Sequence, residues 1–366
     1  MIGRLGRSAA LLSLALVGAC GGPTGPVTFG MAGPFTEGFG AANRRGAELA
    51  VAEINAAGGI GGDSLRIDFQ DDGGDGARAA TIAQGFVDDA AVLAVVGHVT
   101  SGAMVAAAKI YDGRLAAVAT TASAAELTGI SPWAFRVISS DSANGVDLAR
   151  FAQRLGKKRA AVLYENDSYG RGLADAFRTN FAGEVIAFDP IGYEGLRAPI
   201  YMDWLATRAP DLVFVAETER TGMAFLRAAR AKGITADFLG GDGWTGVVAD
   251  PEAAEGALVG APFTALDPRP EAQRFVAAYR ARFGQDPDGN AALAYDAVRL
   301  LATAVTEAGR DRRAIRDWLA GLRERSAVAG VTGDLAFDVT GDPIGQSFTM
   351  TRVQGGRLTL AERGAP

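Results

Sequence analysis

Three short segments of this sequence carry groups that could bind a small molecule with an anionic and a cationic end. Residues 97–102 (GHVTSG) and 120–123 (TTAS) each follow an apolar run and place hydroxyl groups near the start of the next segment. N–H groups at a helix N-terminus favour a carboxylate. Residues 240–244 (GGDGW) place Asp242 between glycines, where it could bind an ammonium group. Any one segment could be an ordinary capped turn, but the three together predict a zwitterion site.

Other kinds of site find little support. The chain has one His and one Cys, so a His/Cys zinc site, a Ser–His–Asp triad or a Cys–His pair would depend on His98 alone. We expect His98 to be a structural residue bonded to a loop carbonyl rather than a catalytic base. Asp71, Asp72 and Asp75 lack the spacing of an EF-hand, so we expect a solvated turn there rather than a calcium site. We expect no metal and no cofactor.

Length and charge narrow the class of protein. The chain has 366 residues, of which 48% are hydrophobic and 21% charged. At about 150 residues per domain, this length predicts two domains rather than one core. The formal charge of −6 and the pI of about 5.1 argue against a basic surface that holds nucleic acid.

The N-terminus reads as an export signal. Arg4 and Arg7 precede an apolar run at 9–17, which is too short to span a membrane. Residues 17–20 (VGAC) look like a bacterial lipobox, in which Cys20 is lipidated and becomes the first residue. A plain signal peptide with an incidental Cys is the alternative. We predict a lipoprotein signal at 1–19, a tether at 20–26 and an extracytoplasmic protein anchored to the membrane by lipid.

Apolar runs alternate with helical patterns along most of the chain. A first series predicts strands at 27–32, 65–69, 92–96 and 115–119 and helices at 47–54, 77–89 and 102–112. A second series predicts strands at 159–164, 184–188, 212–215, 237–239 and 258–261 and helices at 143–155, 171–182, 199–208 and 221–232. This alternation predicts an α/β fold of two doubly wound parallel-sheet lobes. Thereafter the pattern predicts helices at 270–283, 290–308 and 311–324 and hairpin-like strands at 333–338, 347–353 and 357–360.

An ordered set of motifs resembles the periplasmic leucine/isoleucine/valine-binding proteins, the substrate-binding subunits of branched-chain amino acid ABC transporters. The motifs span nearly the whole chain after the signal: 46–51 (GAELAV), 53–60 (EINAAGGI), 71–72 (DD), 96–98 (VGH), Ser101, 125–128 (AELT), 135–136 (FR), Asp141, 169–173 (YGRGL), 295–297 (YDA) and 333–338 (GDLAFD). Each motif is weak alone, but their order is specific.

The resemblance implies a type I periplasmic binding protein, a Venus-flytrap fold in which three crossing segments join two lobes. The chain would cross near 140, 264 and 340. Lobe 1 would then comprise residues 27–139 and 264–339, and lobe 2 residues 140–263 and 340–366.

The resemblance also implies a set of ligand-binding residues. Hydroxyls and backbone groups of two first-lobe loops match Ser101 with Gly102 and Thr121 with Ser123. The second-lobe acid that takes the ammonium falls on Asp242, where the family usually has Glu, so the ammonium must approach more closely or bind through water. Aromatic residues that close over the ligand match Phe39, Tyr169 and Tyr295, each of which could instead be plain core.

Two departures from the family bear on specificity. Thr100 replaces a Cys of the small disulfide loop found in leucine-binding members, and residues 217–220 (ETER), which include the candidate Thr218, replace a Gly and a Tyr. Losing an aromatic ring and gaining charge argues against a purely aliphatic pocket. We therefore expect an amino acid with a polar side chain, or an amide-like ligand, rather than leucine.

Two classes of function remain open. The first is a non-enzymatic, monomeric solute receptor that closes on its ligand and delivers it to an ABC permease. The second is a lipoprotein regulator or sensor that uses the same fold for protein contacts. In such a protein Asp242 would have no role in binding. A hydrolase with Glu217 and Asp242 as paired carboxylates is a distant third.

Overall fold

The computed structural model describes residues 25–191, 198–323 and 326–361, which form two α/β lobes with a cleft between them. The predicted signal, Cys20 and residues 21–24 of the predicted tether lie outside the described residues. No helix of the described ranges is long and apolar enough to cross a membrane.

The first lobe is built on a parallel sheet with the order β2-β1-β3-β4-β5. Its strands are β1 (Val27–Gly33), β2 (Leu65–Asp71), β3 (Val92–Gly97), β4 (Ala117–Ala119) and β5 (Ala134–Arg136). Its helices are α1 (Gly38–Ala56), α2 (Gly76–Asp88) and α3 (Ser101–Tyr111), with a 3₁₀ turn at Ala125–Leu127. Strands β1 and β3 are buried along their whole length, as expected of central parallel strands covered on both faces.

The second lobe repeats this strand order and extends it. Its sheet has the order β14-β13-β10-β9-β8-β6-β7, in which β13 and β14 run antiparallel to their neighbours. The strands are β6 (Arg159–Tyr164), β7 (Glu184–Pro190), β8 (Leu212–Ala216), β9 (Asp237–Gly240), β10 (Leu258–Ala261), β13 (Thr349–Gln354) and β14 (Arg357–Leu360). The helices are α4 (Asp141–Arg154), α5 (Ser168–Asn180), α6 (Ala198–Arg208), α7 (Glu219–Lys232), a 3₁₀ helix at Asp242–Ala249 and α8 (Pro251–Ala254).

After β10 the chain returns to the first lobe. Helices α9 (Pro270–Phe283), α10 (Gly289–Ala308) and α11 (Arg312–Ala320) follow, then a 3₁₀ turn at Gly321–Arg323 and a small ribbon of β11 (Val328–Ala329) and β12 (Asp334–Leu335). Helix α10 packs so closely on α1 that a Cβ at Gly46 would overlap the Ala291 carbonyl. The α/β fold of two parallel-sheet lobes is therefore confirmed. The predicted crossings near 140, 264 and 340 fall between β5 and β6, between β10 and α9 and between β12 and β13, and we propose them as the lobe boundaries.

Short elements depart from the sequence pattern. The sequence pattern does not predict strand β5, because the three apolar residues after a proline are too few to show a periodicity. It does not predict the 3₁₀ helix at Asp242–Ala249 either, because that helix begins in a glycine-rich stretch. Of the predicted 333–338 strand, only Asp334–Leu335 forms a strand, and Phe337 makes an isolated bridge to Pro343. Helix α1 begins at Gly38, nine residues before the first periodic apolar position.

His98 is a structural residue, but its partner differs from the one expected. Its imidazole is fully buried, with Nδ1 2.7 Å from Asp72 Oδ2 and Nε2 2.9 Å from the Tyr111 hydroxyl. The expected loop carbonyl is therefore wrong, and so is a solvated turn at Asp72, which is fully buried. Asp75 caps α2 by accepting from Arg78 N. The carboxylate, imidazole and phenol together fix the ends of β2 and β3 against α3.

Arg136 joins three segments beside the cleft. The side chain is 2% exposed and donates at 2.8 Å to the carbonyls of Ser123 and Ala124. It also pairs at 2.6 Å with Asp342, in the segment that leads back to the second lobe. A buried guanidinium with this many acceptors holds the loop after β4, the strand β5 and the third crossing in one arrangement.

We predict that Arg136→Met lowers the free energy of unfolding by about 3 kcal/mol, because it leaves Asp342 and two carbonyls without their donor. Urea denaturation of the purified chain measures this loss. Arg274→Met is the matched control: Arg274 lies in α9 with its side chain 72% exposed and should cost less than about 1 kcal/mol. Equal and small losses in both variants would contradict the role given to Arg136.

Candidate functional site

A cavity of about 480 Å³, counted out to its open side, lies in the cleft where strands of both sheets end. Its walls are formed by Phe39, Val99, Thr100, Ser101, Thr121, Asp167, Tyr169, Thr218, Asp242, Gly243 and Asn290. In each lobe most of these residues follow the carboxyl ends of strands next to the point where the strand order reverses, the usual ligand position in doubly wound sheets.

The first-lobe wall presents hydroxyls around the start of α3. The Ser101 hydroxyl accepts from the backbone N–H groups of Ser123 at 3.2 Å and Ala124 at 3.1 Å. The Thr121 hydroxyl donates to the Val99 carbonyl at 2.8 Å, which ties the two loops together. Thr100 precedes α3 but its side chain makes no capping hydrogen bond, so the first N–H groups of this helix receive no oxygen from its N-cap side chain. This wall suits an anion.

The second-lobe wall presents an acid held by a tyrosine. The Tyr169 hydroxyl donates to Asp242 Oδ1 at 3.0 Å and accepts from Gly243 N at 3.0 Å. Burial raises the pKa of Asp242 to about 6, although the Tyr169 hydroxyl lowers it in part. Asp141 lies close by and is fully buried; burial, followed by the charge of Asp242, holds its pKa well above the ordinary value. This wall therefore concentrates negative charge that a ligand cation would offset.

More acids lie behind the same wall. Glu217 is fully buried, and neither of its carboxyl oxygens has a hydrogen-bond partner among the described residues. Burial raises its pKa to about 9, with further contributions from Glu165 and Asp167. Burial and then Asp167 raise the pKa of Glu165 to about 7. At neutral pH the Glu217 carboxyl is thus a neutral group that can both donate and accept a hydrogen bond.

The structure brings most of the predicted site residues together. Phe39, Ser101, Thr121, Tyr169, Thr218 and Asp242 all line the cavity. Gly102 and Ser123 lie next to lining residues without lining the cavity themselves; Gly102 is exposed and Ser123 is buried beneath the wall. In this conformation Gly102 and Ser123 do not face the cavity, and only the lining residues beside them, Ser101 and Thr121, do.

Tyr295 is separated from this cavity. Its hydroxyl donates to Glu53 on α1, and its ring packs at 4.7 Å from that of Phe275 on α9. It lines a different, more polar cavity together with Asp296 and Arg299. The reason is its place in the second turn of α10, on a face turned toward α1 and α9, whereas Asn290 in the first turn reaches the cleft.

Five lining residues were not predicted: Val99, Thr100, Asp167, Gly243 and Asn290. Val99, Thr100 and Gly243 lie within the predicted loops but carry no distinctive chemistry. Asp167 caps α5 by accepting from Gly170 N at 2.7 Å, and Asn290 lies beside the N-cap of α10, so both look like ordinary helix starts in the sequence. No group of His, Cys, Asp or Glu in the described ranges is arranged to hold a metal ion.

Known proteins with similar sequences and folds bind solutes. A family model described as periplasmic binding protein matches residues 26–357. An amino acid binding protein of Pseudomonas aeruginosa is 31% identical over 339 residues, 86% of this chain and 87% of that protein. The Leu/Ile/Val-binding protein of Escherichia coli is 30% identical over 327 residues, 87% of each chain.

A solved structure agrees with these sequence matches and confirms the family resemblance. It is an ABC transporter substrate-binding protein of Desulfitobacterium hafniense in complex with Leu, 33% identical, with a TM-score of 0.79. The match covers 92% of this chain and all of that one. The chain therefore belongs to the periplasmic binding protein family, within which the Leu/Ile/Val-binding proteins are among its relatives.

Proposed function

We propose that this protein is the extracytoplasmic substrate-binding component of an ABC transporter and that it captures an α-amino acid or a related zwitterion in the cleft. The observation that carries the proposal is the opposition of two walls across one cavity. One wall offers hydroxyls and the N-terminus of α3, and the other offers the buried acid Asp242 with Tyr169. The named relatives from Pseudomonas aeruginosa and Escherichia coli, which bind amino acids, support it.

In this proposal the ligand bridges the lobes. Its carboxylate binds Ser101, Thr121 and the first N–H groups of α3, and its ammonium binds Asp242. Because Asp is one methylene shorter than Glu, the ammonium lies closer to the second lobe or binds through a water. A ligand that contacts both walls favours the closed state, and moving a 1:99 equilibrium to 99:1 takes about 5.5 kcal/mol of differential affinity.

The side-chain end of the ligand is proposed to be polar. The exposed carboxylate of Asp167 lines the cavity, and Glu217 is buried beside the lining residue Thr218 without a hydrogen-bond partner among the described residues, so an aliphatic chain here would leave the Glu217 carboxyl unsatisfied. An amide or amine would supply the donors. The leucine found in the Desulfitobacterium hafniense protein is therefore not the ligand that we propose for this chain.

The remaining features follow the N-terminal sequence and the family. We propose that Cys20 is lipidated after removal of residues 1–19, that the mature protein is a tethered monomer and that a membrane permease is its partner. We also propose that it performs no catalysis. If a ligand screen gave no hit, the alternative would be a regulator that binds only proteins.

We predict that a thermal-shift screen of the purified chain from Gly21 to Pro366 identifies a polar amino acid or a small amide. A ligand at 100 times its Kd stabilises the fold by about 2.7 kcal/mol, which a melting curve resolves. Asp242→Ala should abolish the shift, whereas Asp203→Ala, on the exposed face of α6, should preserve it. A flat panel from folded protein would contradict amino acid binding and favour the regulator.

We predict that Glu217 distinguishes between the two kinds of polar ligand. Glu217→Gln resembles the neutral carboxyl, so it should change the Kd of an amide ligand less than threefold. It should weaken an amine ligand about 100-fold, because a ligand ammonium beside the Glu217 carboxyl favours the ionised form, and Gln cannot supply that charge. Calorimetry at pH 7 measures both, with Glu252→Gln as a surface control. Tight binding of leucine by the unaltered protein, with no response to polar amino acids, would contradict a polar pocket.

We predict that Cys20→Ser moves the protein from the membrane fraction to the soluble extracytoplasmic fraction and abolishes labelling by a radioactive fatty acid. The reason is that the Cys thiol is the acceptor of the lipid in the predicted lipobox. Fractionation of cells that express either form measures this. Retention of the Cys20→Ser protein in the membrane would show that another element anchors it.

A further inference from the structure

One side chain of the second lobe reaches into the first at the rim of the cleft. Glu219 begins α7, and its carboxylate accepts from the backbone N–H of Phe39 at the start of α1. It fills a slot between two glycines, since a Cβ at Gly38 or at Gly246 would overlap this carboxylate. At Gly246 the three nearest atoms to such a Cβ all belong to Glu219. The slot therefore has one glycine from each lobe and fits this side chain.

The first N–H groups of α1 find an acceptor in this contact. The N-cap residue Glu37 makes no side-chain capping hydrogen bond, and the first turn of α1 has no acidic residue. The first N–H groups of a helix have no partner within the helix, and a side-chain oxygen that accepts from them stabilises the helix whether or not it is charged. Glu219 supplies that oxygen from the other lobe, which is possible only while the lobes are closed.

Two further contacts cross the cleft beside Glu219. Asn290 Nδ2 donates to Thr245 Oγ1 at 3.1 Å, and both residues are buried. Arg220 lies 3.8 Å from Glu37, and both side chains are exposed. Exposed ion pairs contribute little, so the buried contacts carry most of the attachment. Asn290 and Phe39 also line the ligand cavity, which couples this rim to the site.

We propose that Glu219 is a positioning residue that sets the balance between open and closed lobes by capping α1 of the opposite lobe. It touches no ligand in this proposal but raises affinity by favouring the closed state. This inference rests on the proposed function, because closure of the lobes is taken to serve ligand capture. The experiment that tests it needs no ligand.

The charged surroundings of Glu219 make this contact sensitive to pH. Burial raises its pKa to about 7; Asp288 and Glu37 add to the rise, whereas the Phe39 N–H and Arg45 oppose it. Arg220, next in the chain, and these residues are the charged groups that face it. When the lobes open, Glu219 returns to water and to the ordinary pKa of Glu, near 4. Closing therefore takes up a proton, and the closed state gains population as the pH falls through 7.

The test measures the distance between lobes in the chain from Gly21 to Pro366, which contains no native Cys. Fluorescent labels are attached at Lys109→Cys on α3 and Thr179→Cys on α5, both exposed, and energy transfer reports the closed fraction from pH 5 to 9. Glu219→Ala should lower the ratio of closed to open about fivefold at pH 6, because the capping oxygen is lost. Glu252→Gln should leave the ratio unchanged.

Two more variants separate a cap from a general effect on folding. Glu219→Gln keeps the acceptor oxygen without the charge, so it should close as the unaltered protein does at low pH and flatten the profile between pH 6 and 8. Gly246→Ala should open the unaltered protein but have a much smaller effect in the Glu219→Ala background, where only the Cβ of residue 219 remains near the new methyl group. Unchanged closure in both Glu219→Ala and Gly246→Ala, or a wild-type pH profile in Glu219→Gln, would overturn the proposal. A flat ligand screen with these shifts intact would overturn only the proposed function.

Discussion

The arrangement of the cleft depends on the buried guanidinium of Arg136. It binds the carbonyls of Ser123 and Ala124, whose N–H groups in turn bind the Ser101 hydroxyl at the start of α3. Its other end pairs with Asp342 in the third segment that joins the lobes. One side chain thus links the third segment that joins the lobes to the first-lobe wall of the cavity, so the position of Ser101 is fixed by contacts that lie outside the cavity.

The two walls of the cavity differ in their electrostatic state. In the first-lobe wall the Ser101 and Thr121 hydroxyls bond to backbone groups of that lobe, whereas the Thr100 hydroxyl has no partner among the described residues and does not cap α3. The second-lobe wall buries Asp242, Asp141 and Glu217, and burial raises the pKa of each; the charge of Arg136 opposes that rise at Asp141 but does not offset it. Burying an acid without a counterion costs stability. A binding protein can hold such acids because the missing charge or hydrogen-bond donor arrives with the ligand.

His98 shows why a rare residue need not be a functional one. It is the only His of the chain and follows β3 directly, close to the residues that line the cavity. Both ring nitrogens are nonetheless engaged, one by the Asp72 carboxylate and the other by the Tyr111 hydroxyl. With no free nitrogen and no exposure, it has no means of taking a proton from a ligand. It stabilises the loop that carries Ser101.

The sequence by itself determined the α/β class, the two lobes and most of the cavity wall. Strand and helix periodicities are local, and residues at the carboxyl ends of parallel strands meet at one edge, so Ser101, Thr121 and Asp242 could be placed together from the sequence. The family resemblance added Tyr169. Only the tertiary structure decided the rest. It turned Tyr295 toward α1 and buried Asp72 beneath the cleft. It also began α1 at Gly38, where the local sequence disfavours a helix but Glu219 of the other lobe meets its first N–H groups. These outcomes depend on contacts between residues far apart in the chain, which no local pattern records.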